Sequence, residues 1–161
     1  MSSYNSEPIR SIHHSKRDLW LVVLLWTMAI LLHATALVVV LVPSPPGLRI
    51  ALPIVLLLVS YLMLWTLYGT RYRLTDFELR IACGPFRWRI PYDDIERISP
   101  TRSPVSGPAC SLDRLEVVAP DASTLGLMIS PERKLEFLRE LVALAPSLRL
   151  RDDRVVRAEP A

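Results

Sequence analysis

Glycine is scarce in this sequence, and its distribution excludes the common nucleotide-binding loops. Only five glycines occur among 161 residues, each isolated from the others, so no glycine-rich phosphate-binding loop can form. The H-E-x-x-H and G-x-S-x-G motifs of metalloproteases and serine hydrolases are absent. The best acidic pair, Asp93 and Asp94, consists of neighbours on an extended segment, whose side chains point to opposite faces. We therefore expect no enzymatic activity and no catalytic residues.

Cysteine is nearly absent, and no metal-binding pattern takes its place. Cys83 and Cys110 form no C-x-x-C pair, and no pair of histidines lies at zinc-ligand spacing from them. His13 and His14 are adjacent but have no further ligands near them, so they cannot close a metal site. We predict that the protein binds no metal and no other cofactor.

A long run of basic residues is also missing. The sequence holds 19 Lys and Arg against 16 Asp and Glu, a formal net charge of +3. The two signs are interspersed, so the pattern does not indicate a nucleic-acid partner. A mild positive excess suits a protein that faces an anionic membrane surface.

Two apolar runs dominate the first half of the chain. Leu19 to Val42 and Ile50 to Tyr68 contain no charged residue, and each is long enough to cross roughly 30 Å of hydrocarbon as a helix. A buried helix of a soluble protein is a weaker interpretation, because the remaining polar chain could hardly surround runs of this length. A cleaved signal peptide ending near Ala34-Thr35-Ala36 is also less favoured, because the apolar run continues past that point.

The residues around the two runs predict a transmembrane hairpin over 19–69 with both chain ends in the cytoplasm. Three prolines and a glycine lie in the short linker, which must therefore turn. Lys and Arg are concentrated before the first span and after the second, while the linker holds only Arg49. This asymmetry indicates a multi-pass protein of the inner (plasma) membrane. Residues 1–18 have no apolar period, and we expect a flexible cytoplasmic arm.

After Gly69 the pattern changes to a period of two, which is typical of half-buried strands. Three strands with short turns are predicted between Arg71 and Pro91, a fourth over 95–102 that Pro100 confines to an edge or a bulge, and two more over 114–119 and 124–129. Ser130-Pro131-Glu132 favours a helix start, with Leu135, Leu138 and Leu141 on its apolar face. Residues 147–161 are charged and are predicted to be a disordered tail.

Short motifs in this region resemble those of the YyaB-like bacterial PH (pleckstrin-homology-like) domain family. The motifs are Tyr72-Arg73-Leu74-Thr75, Gly84-Pro85-Phe86, the segment from Ile90 to Ile98, and Ile129-Ser130-Pro131. The resemblance covers about Arg71 to Ala145. It implies a small α+β domain over 70–146, antiparallel strands with one C-terminal helix, often preceded by two spans. It implies no established enzymatic function, and no functional residue can be carried over from it.

The sequence predicts a non-catalytic, membrane-anchored interaction module that presents its PH-like domain to protein partners, to another copy of itself or to the inner membrane surface. Five arginines fall on outward positions of the first three strands and are candidate contacts for anionic lipid: Arg71, Arg73, Arg80, Arg87 and Arg89. A solvated sheet face is the alternative reading of these arginines. An alternative function is a small accessory or regulatory subunit of a transporter or envelope enzyme complex, in which His33 inside the first span has a role.

Overall fold

A computed structural model describes residues 8–43, 45–101, 110–119 and 127–158. The chain forms, in order, β1 (Ser11–His14), α1 (Leu19–Leu41), α2 (Pro46–Gly69), β2 (Arg71–Leu74), β3 (Glu78–Cys83), β4 (Phe86–Pro91), a 3-10 turn (Tyr92–Asp94), β5 (Arg97–Thr101), β6 (Arg114–Val118), β7 (Leu127–Ile129), α3 (Lys134–Leu144), β8 (Leu148–Arg151) and β9 (Arg154–Arg157). The predicted pair of apolar helices followed by a small antiparallel domain with a helix is confirmed.

The two long helices pack against each other along one seam. Ala29 and Ala36 are the buried residues of α1, and Pro53, Ser60 and Leu67 are those of α2. Both sets recur every seventh residue, which keeps them on one helix face, and most of these side chains are small enough for close approach of the backbones. Each helix is long and apolar enough to cross a membrane. The second begins at Pro46 rather than Ile50, since proline is well accommodated in a first helical turn.

Two antiparallel sheets enclose the core of the domain. One has the strand order β1-β2-β3-β4, and the other has the order β7-β6-β5-β9-β8. Alternate residues of both sheets point into a common cluster with α3, among them Tyr72, Ile81, Ile98, Val117 and Phe137. The period of two read from the sequence therefore separates core from surface as expected.

The N-terminal segment differs from the prediction of a flexible arm. Ser11–His14 forms β1, which pairs with β2 in the register His14↔Arg71. The helical hairpin is consequently inserted between two neighbouring strands of one sheet. A four-residue edge strand that pairs across the whole hairpin leaves little local signal in the sequence, which explains the error.

The C-terminal segment also differs from the predicted disordered tail. Leu148–Arg151 and Arg154–Arg157 form a β-hairpin that extends the second sheet through pairing of β9 with β5. Leu148 and Val155 are buried in the core. Charged residues on the outward positions concealed the alternation, and the turn is made by Asp152 in the left-handed region.

The C-terminal helix begins later than predicted. It starts at Lys134, and Ser130 does not cap it but lies buried in the core with its Oγ bonded to other polar groups. Leu138 and Leu141 are buried as predicted, whereas Leu135 is exposed because the face that docks on the sheet is centred on Phe137, Leu138 and Leu141, and Leu135 lies outside it.

Pro100 lies in β5, which is an interior strand of its sheet. The strand β9 pairs with β5 only at Arg97 and Ile98, so Pro100 has no neighbour on that side among the described residues. The prediction for Pro100 is thus correct locally, although the strand itself is not an edge. The loops predicted over 103–109 and 120–123, and the first residues of the strand predicted over 124–129, lie outside the described residues.

Candidate membrane-contact site

The structure brings the five candidate arginines to one face of the first sheet. Their neighbours in sequence, including Tyr72, Leu79 and Ile90, are buried in the core on the other face. We call the set of Arg71, Arg73, Arg80, Arg87 and Arg89 the arginine face. It arises because basic and apolar residues alternate along three successive short strands.

Strand register arranges the arginine face in two rows. Arg73, Arg80 and Arg89 lie opposite one another across β2, β3 and β4. Two residues along the strands, Arg71 and Arg87 flank Ala82 in the next row. Like charges directly opposite each other destabilise a sheet, so the rows lower the stability of the isolated domain.

Internal contacts hold two of these arginines, one by an ion pair and one by backbone hydrogen bonds. Arg80 is paired with the carboxylate of Glu78. Arg87 donates to the carbonyl oxygens of Gly84 and Phe86, the latter at 2.9 Å. Among the described residues, the side chains of the other three form no ion pair, and Nε of Arg73 is buried without a hydrogen-bond partner.

The arginine face is the wall of a concave pocket beside the end of the second helix. The pocket has a volume of about 660 Å³, and all five arginines line it. Trp65 and Gly69 from the last turns of α2 also line it. The pocket therefore opens where the apolar helix ends and the polar domain begins.

The turn between β3 and β4 packs directly on the second helix. Gly84 has a φ of +55°, and a Cβ at this position would lie 2.7 Å from Cγ2 of Thr66. Close by, Oγ1 of Thr70 donates to Sγ of Cys83 at 3.3 Å. These contacts fix the arginine face relative to the helix, because the turn joins the two strands that carry Arg80, Arg87 and Arg89.

The start of the first helix is also tied to the domain. The Asp18 carboxylate accepts hydrogen bonds from Oγ of Ser111 at 2.8 Å and from the Leu112 amide at 3.0 Å. Partial burial opposes ionisation of Asp18, but these hydrogen bonds outweigh it and lower its pKa. Both ends of the hairpin are thereby anchored in one domain.

A buried polar cluster joins β1 to the rest of the domain. Oη of Tyr72 accepts from the Ser130 amide at 3.0 Å and donates to Oγ of Ser15 at 3.2 Å. The two serine hydroxyls lie 3.0 Å apart, and the Cys110 amide donates to Oγ of Ser130. Burial raises the pKa of Tyr72 to about 12, so its hydroxyl keeps its proton at neutral pH. Sequence reasoning missed this cluster because its members come from four separate segments.

Aromatic residues surround the same end of the hairpin. Nε1 of Trp26 donates to Oη of Tyr68 at 2.9 Å, and the guanidinium of Arg17 lies 5.0 Å from the centre of the Tyr68 ring. Trp65 contacts Tyr61 one turn earlier in α2, with ring centres 5.7 Å apart. Trp20, Trp65 and Tyr68 all lie in the helical turns next to the domain, which is where aromatic residues anchor a membrane-spanning helix at the interface.

The histidines and cysteines form no metal site among the described residues. Nε2 of His13 lies 2.9 Å from a carboxylate oxygen of Glu140, and its ring packs edge-on against Phe137. His33 contacts the carbonyl oxygen of Ala29 at 2.7 Å and lies 3.5 Å from Oγ of Ser60. Cys83 and Cys110 are free thiols, and burial raises the pKa of Cys83.

Comparison with known proteins identifies the domain. Residues 70–145 match the family model described as a bacterial PH domain. The match begins one residue before β2 and ends one residue after α3, so β1, β8 and β9 lie outside it. No curated protein and no solved structure matches the chain significantly. The resemblance seen in the sequence is confirmed, since residues 70–145 are similar to bacterial PH domains.

Proposed function

We propose that this bacterial PH domain is a non-catalytic interaction module, anchored in the inner membrane by its helical hairpin and held on the cytoplasmic surface by its arginine face. The observation that carries the proposal is the position of the five arginines in one pocket beside the end of α2. PH domains generally bind lipids or proteins, and a positive pocket at the end of an apolar helix favours lipid headgroups as one partner.

The pairing of β1 with β2 supports the hairpin topology. One strand precedes α1 and the other follows α2, so both ends of the hairpin belong to the same sheet. If the helices cross a membrane, that sheet lies on one side of it. The excess of Lys and Arg at those ends favours the cytoplasmic side.

The charge of the face sets the expected strength of lipid contact. Each arginine near an anionic surface contributes roughly 1 kcal/mol of attraction, and that attraction fades within a Debye length of about 10 Å at 0.1 M salt. The remaining surface of the domain stays available to a protein partner or to a second copy of the chain. The domain thus serves as a platform positioned close to the bilayer.

Hydrogen–deuterium exchange of the full-length protein in nanodiscs tests this proposal. β4 is an edge strand, so its outward amides exchange readily unless something covers them. We expect slower exchange of the β4 peptide in discs that contain phosphatidylglycerol than in discs of phosphatidylcholine alone, with the protection lost at high salt. Identical exchange in both kinds of disc would contradict the proposal.

A matched pair of double variants separates the arginine face from general charge. Arg87→Gln with Arg89→Gln removes two charges from the face and is expected to abolish the protection. Arg149→Gln with Arg151→Gln removes two exposed charges from β8 of the other sheet and is expected to leave it unchanged. Equal loss of exchange protection in both double variants would show that total charge, rather than the arginine face, controls the contact with lipid.

A second candidate function is an accessory subunit whose helices pack into a larger complex. The observation that favours it is His33, an exposed polar residue midway along α1 that lines an apolar groove with Trp26, Leu37 and Leu64. Affinity purification of the solubilised full-length protein, compared with its His33→Leu variant, tests this function. A partner protein retained by the wild type and lost from the variant is the expected result for a subunit, whereas equal retention would contradict a role for His33.

A further inference from the structure

We infer that the pocket of the arginine face binds the headgroup of a single lipid that carries two or more negative charges on phosphate. This inference rests on the proposed function and specifies its ligand. A flat basic surface would attract any anionic bilayer, whereas a concave pocket of about 660 Å³ lined by all five arginines encloses one group. The class of ligand follows from the charge, the spacing and the boundaries of this pocket.

The charge count favours a polyanionic group. The five arginines lie side by side in the pocket, and one carboxylate, that of Glu78, is paired with Arg80. A headgroup with a single phosphodiester charge would leave most of this positive charge uncompensated. A phosphomonoester, or two phosphodiesters in one lipid, neutralises more of it.

The distance between the two rows of arginines allows contact with two phosphates, or with opposite sides of one. Arg73 and Arg89 lie in one row, and Arg71 and Arg87 lie two residues away along their strands. Two residues of a strand span roughly 6.5 Å, so the rows can contact separate phosphates or opposite sides of one phosphomonoester. Planar guanidinium groups bind phosphate oxygens in a bidentate manner, which gives such contacts direction as well as charge.

Part of the pocket is already ordered for a ligand. Glu78 holds Arg80, and backbone carbonyls hold Arg87. In contrast, Nε of Arg73 is buried with no hydrogen-bond partner among the described residues, which is an unfavourable state unless a ligand supplies an acceptor. The fixed groups orient the headgroup, and Nε of Arg73 gains a hydrogen-bond acceptor when it binds.

The second helix favours a lipid as the carrier of the phosphate. Trp65 lines the pocket, and Tyr61 continues the aromatic surface one turn further along α2, away from the domain. Aromatic side chains at this level lie between headgroups and acyl chains. A lipid with its phosphate on the arginines would therefore lay its chains along this helix, a contact that a soluble phosphate compound lacks.

Native mass spectrometry of the full-length protein in detergent tests the inference. The protein is offered cardiolipin, phosphatidic acid and phosphatidylglycerol at equal concentration, and the bound lipids are counted. We expect one molecule of cardiolipin or phosphatidic acid per chain, retained about tenfold more tightly than phosphatidylglycerol, because the added charge makes further charge-assisted hydrogen bonds. Equal retention of the three lipids would overturn the inference.

Variants and a soluble competitor complete the test. Arg73→Gln with Arg89→Gln is expected to remove the preference, while Arg149→Gln with Arg151→Gln retains it. Inorganic pyrophosphate, which carries the charge without chains, is expected to displace the lipid poorly. Efficient displacement by pyrophosphate, or loss of preference in the β8 variant, would refute a lipid site in this pocket.

The two proposals fail in distinguishable ways. Equal retention of all anionic lipids, together with exchange protection of β4 in anionic nanodiscs, would overturn the polyanionic site and leave the proposed function intact. Absence of that protection would overturn the proposed function and the lipid site together.

Discussion

Gly84 lies directly against Thr66, and this contact joins the first sheet of the domain to the last turn of the second apolar helix. A Cβ on Gly84 would lie 2.7 Å from Thr66 Cγ2 and 3.2 Å from the Thr66 backbone. The glycine also occupies the left-handed region at φ +55°, where other residues are strained. Position 84 therefore favours glycine for two reasons, its backbone conformation and the lack of space for a side chain.

Gly84→Ala is predicted to destabilise the protein by about 1 to 3 kcal/mol, the usual effect of a left-handed non-glycine residue. Gly47→Ala is the control, because no atom of the described residues outside its own helical turn lies within 4 Å of the added methyl group. Thermal unfolding of the full-length protein in detergent, followed by tryptophan fluorescence, measures both. A Gly84 variant as stable as the Gly47 variant would show that the turn does not pack on the helix.

Leu138→Asp is predicted to unfold the domain, since Leu138 is 1% exposed and a buried unpaired carboxylate costs several kcal/mol. Leu135→Asp places the same charge one turn away on a residue that is 51% exposed, and it should leave the melting temperature nearly unchanged. Thermal unfolding followed by circular dichroism measures the melting temperature of the two variants. Equal destabilisation would mean that α3 does not dock in the observed rotation.

The contrast between these two leucines shows what the sequence can and cannot specify. The alternation of apolar and polar residues predicted the central strands. The apolar face of the helix predicted Leu138 and Leu141 as core residues. The helix start was wrong because Ser130 resembles an N-cap, whereas tertiary contacts with Ser15, Tyr72 and Cys110 use its hydroxyl group and its amide. Such long-range contacts leave no local pattern.

The candidate site was likewise only partly predictable from the sequence. The outward position of the five arginines followed from the period of two. Their enclosure in one pocket with Trp65 did not, because it depends on how α2 meets the sheet. The strand β1 was missed for a related reason, since 56 residues (15–70), which include the whole hairpin, separate it from its partner β2.

A soluble domain is predicted to require β1. His14 and Arg71 are directly opposed, so a short Gly/Ser linker in place of residues 19–69 should keep the two strands paired, connected through the retained residues 15–18 and 70. A fragment that begins at Thr70 loses the hydrogen bond from Tyr72 to Ser15 and the strand pairing, a loss of roughly 2 kcal/mol or more. Urea unfolding should rank the linked form above the fragment. The reverse order would show that β1 contributes nothing to stability.

Acid is predicted to weaken the attachment of the N-terminal segment. Hydrogen bonds and charge from Lys134 and Lys16 lower the pKa of Asp113, and hydrogen bonds from Ser11 and His13 lower that of Glu140. A carboxylate with a lowered pKa stabilises the fold above its unfolded pKa of about 4, and this stabilisation is lost as the pH falls through the folded value. The melting temperature should therefore fall on acidification from neutral pH to below 4.

Asp113→Asn tests the sign of this effect. The variant should melt lower than the wild type at neutral pH and lose less on acidification, because it lacks one of the titrating groups. Asp153→Asn, an exposed carboxylate in the turn between β8 and β9, should behave like the wild type. A larger acid effect in the Asp113 variant would contradict the assignment.

If the arginine face contacts lipid, the β3–β4 end of the domain lies at the bilayer surface, and the depth of two phenylalanines tests this placement most directly. Phe86 is 59% exposed beside the turn that contacts α2, whereas Phe77 is 70% exposed at the opposite end of β3. The six residues of β3 separate them by roughly 20 Å. Each is replaced in turn by a labelled cysteine in a Cys83→Ser, Cys110→Ser background.

Quenching of the label by brominated lipids in nanodiscs is then measured. We predict strong quenching at Phe86 and little at Phe77. Equal quenching at the two sites, or stronger quenching at Phe77, would contradict the placement of the arginine face at the membrane.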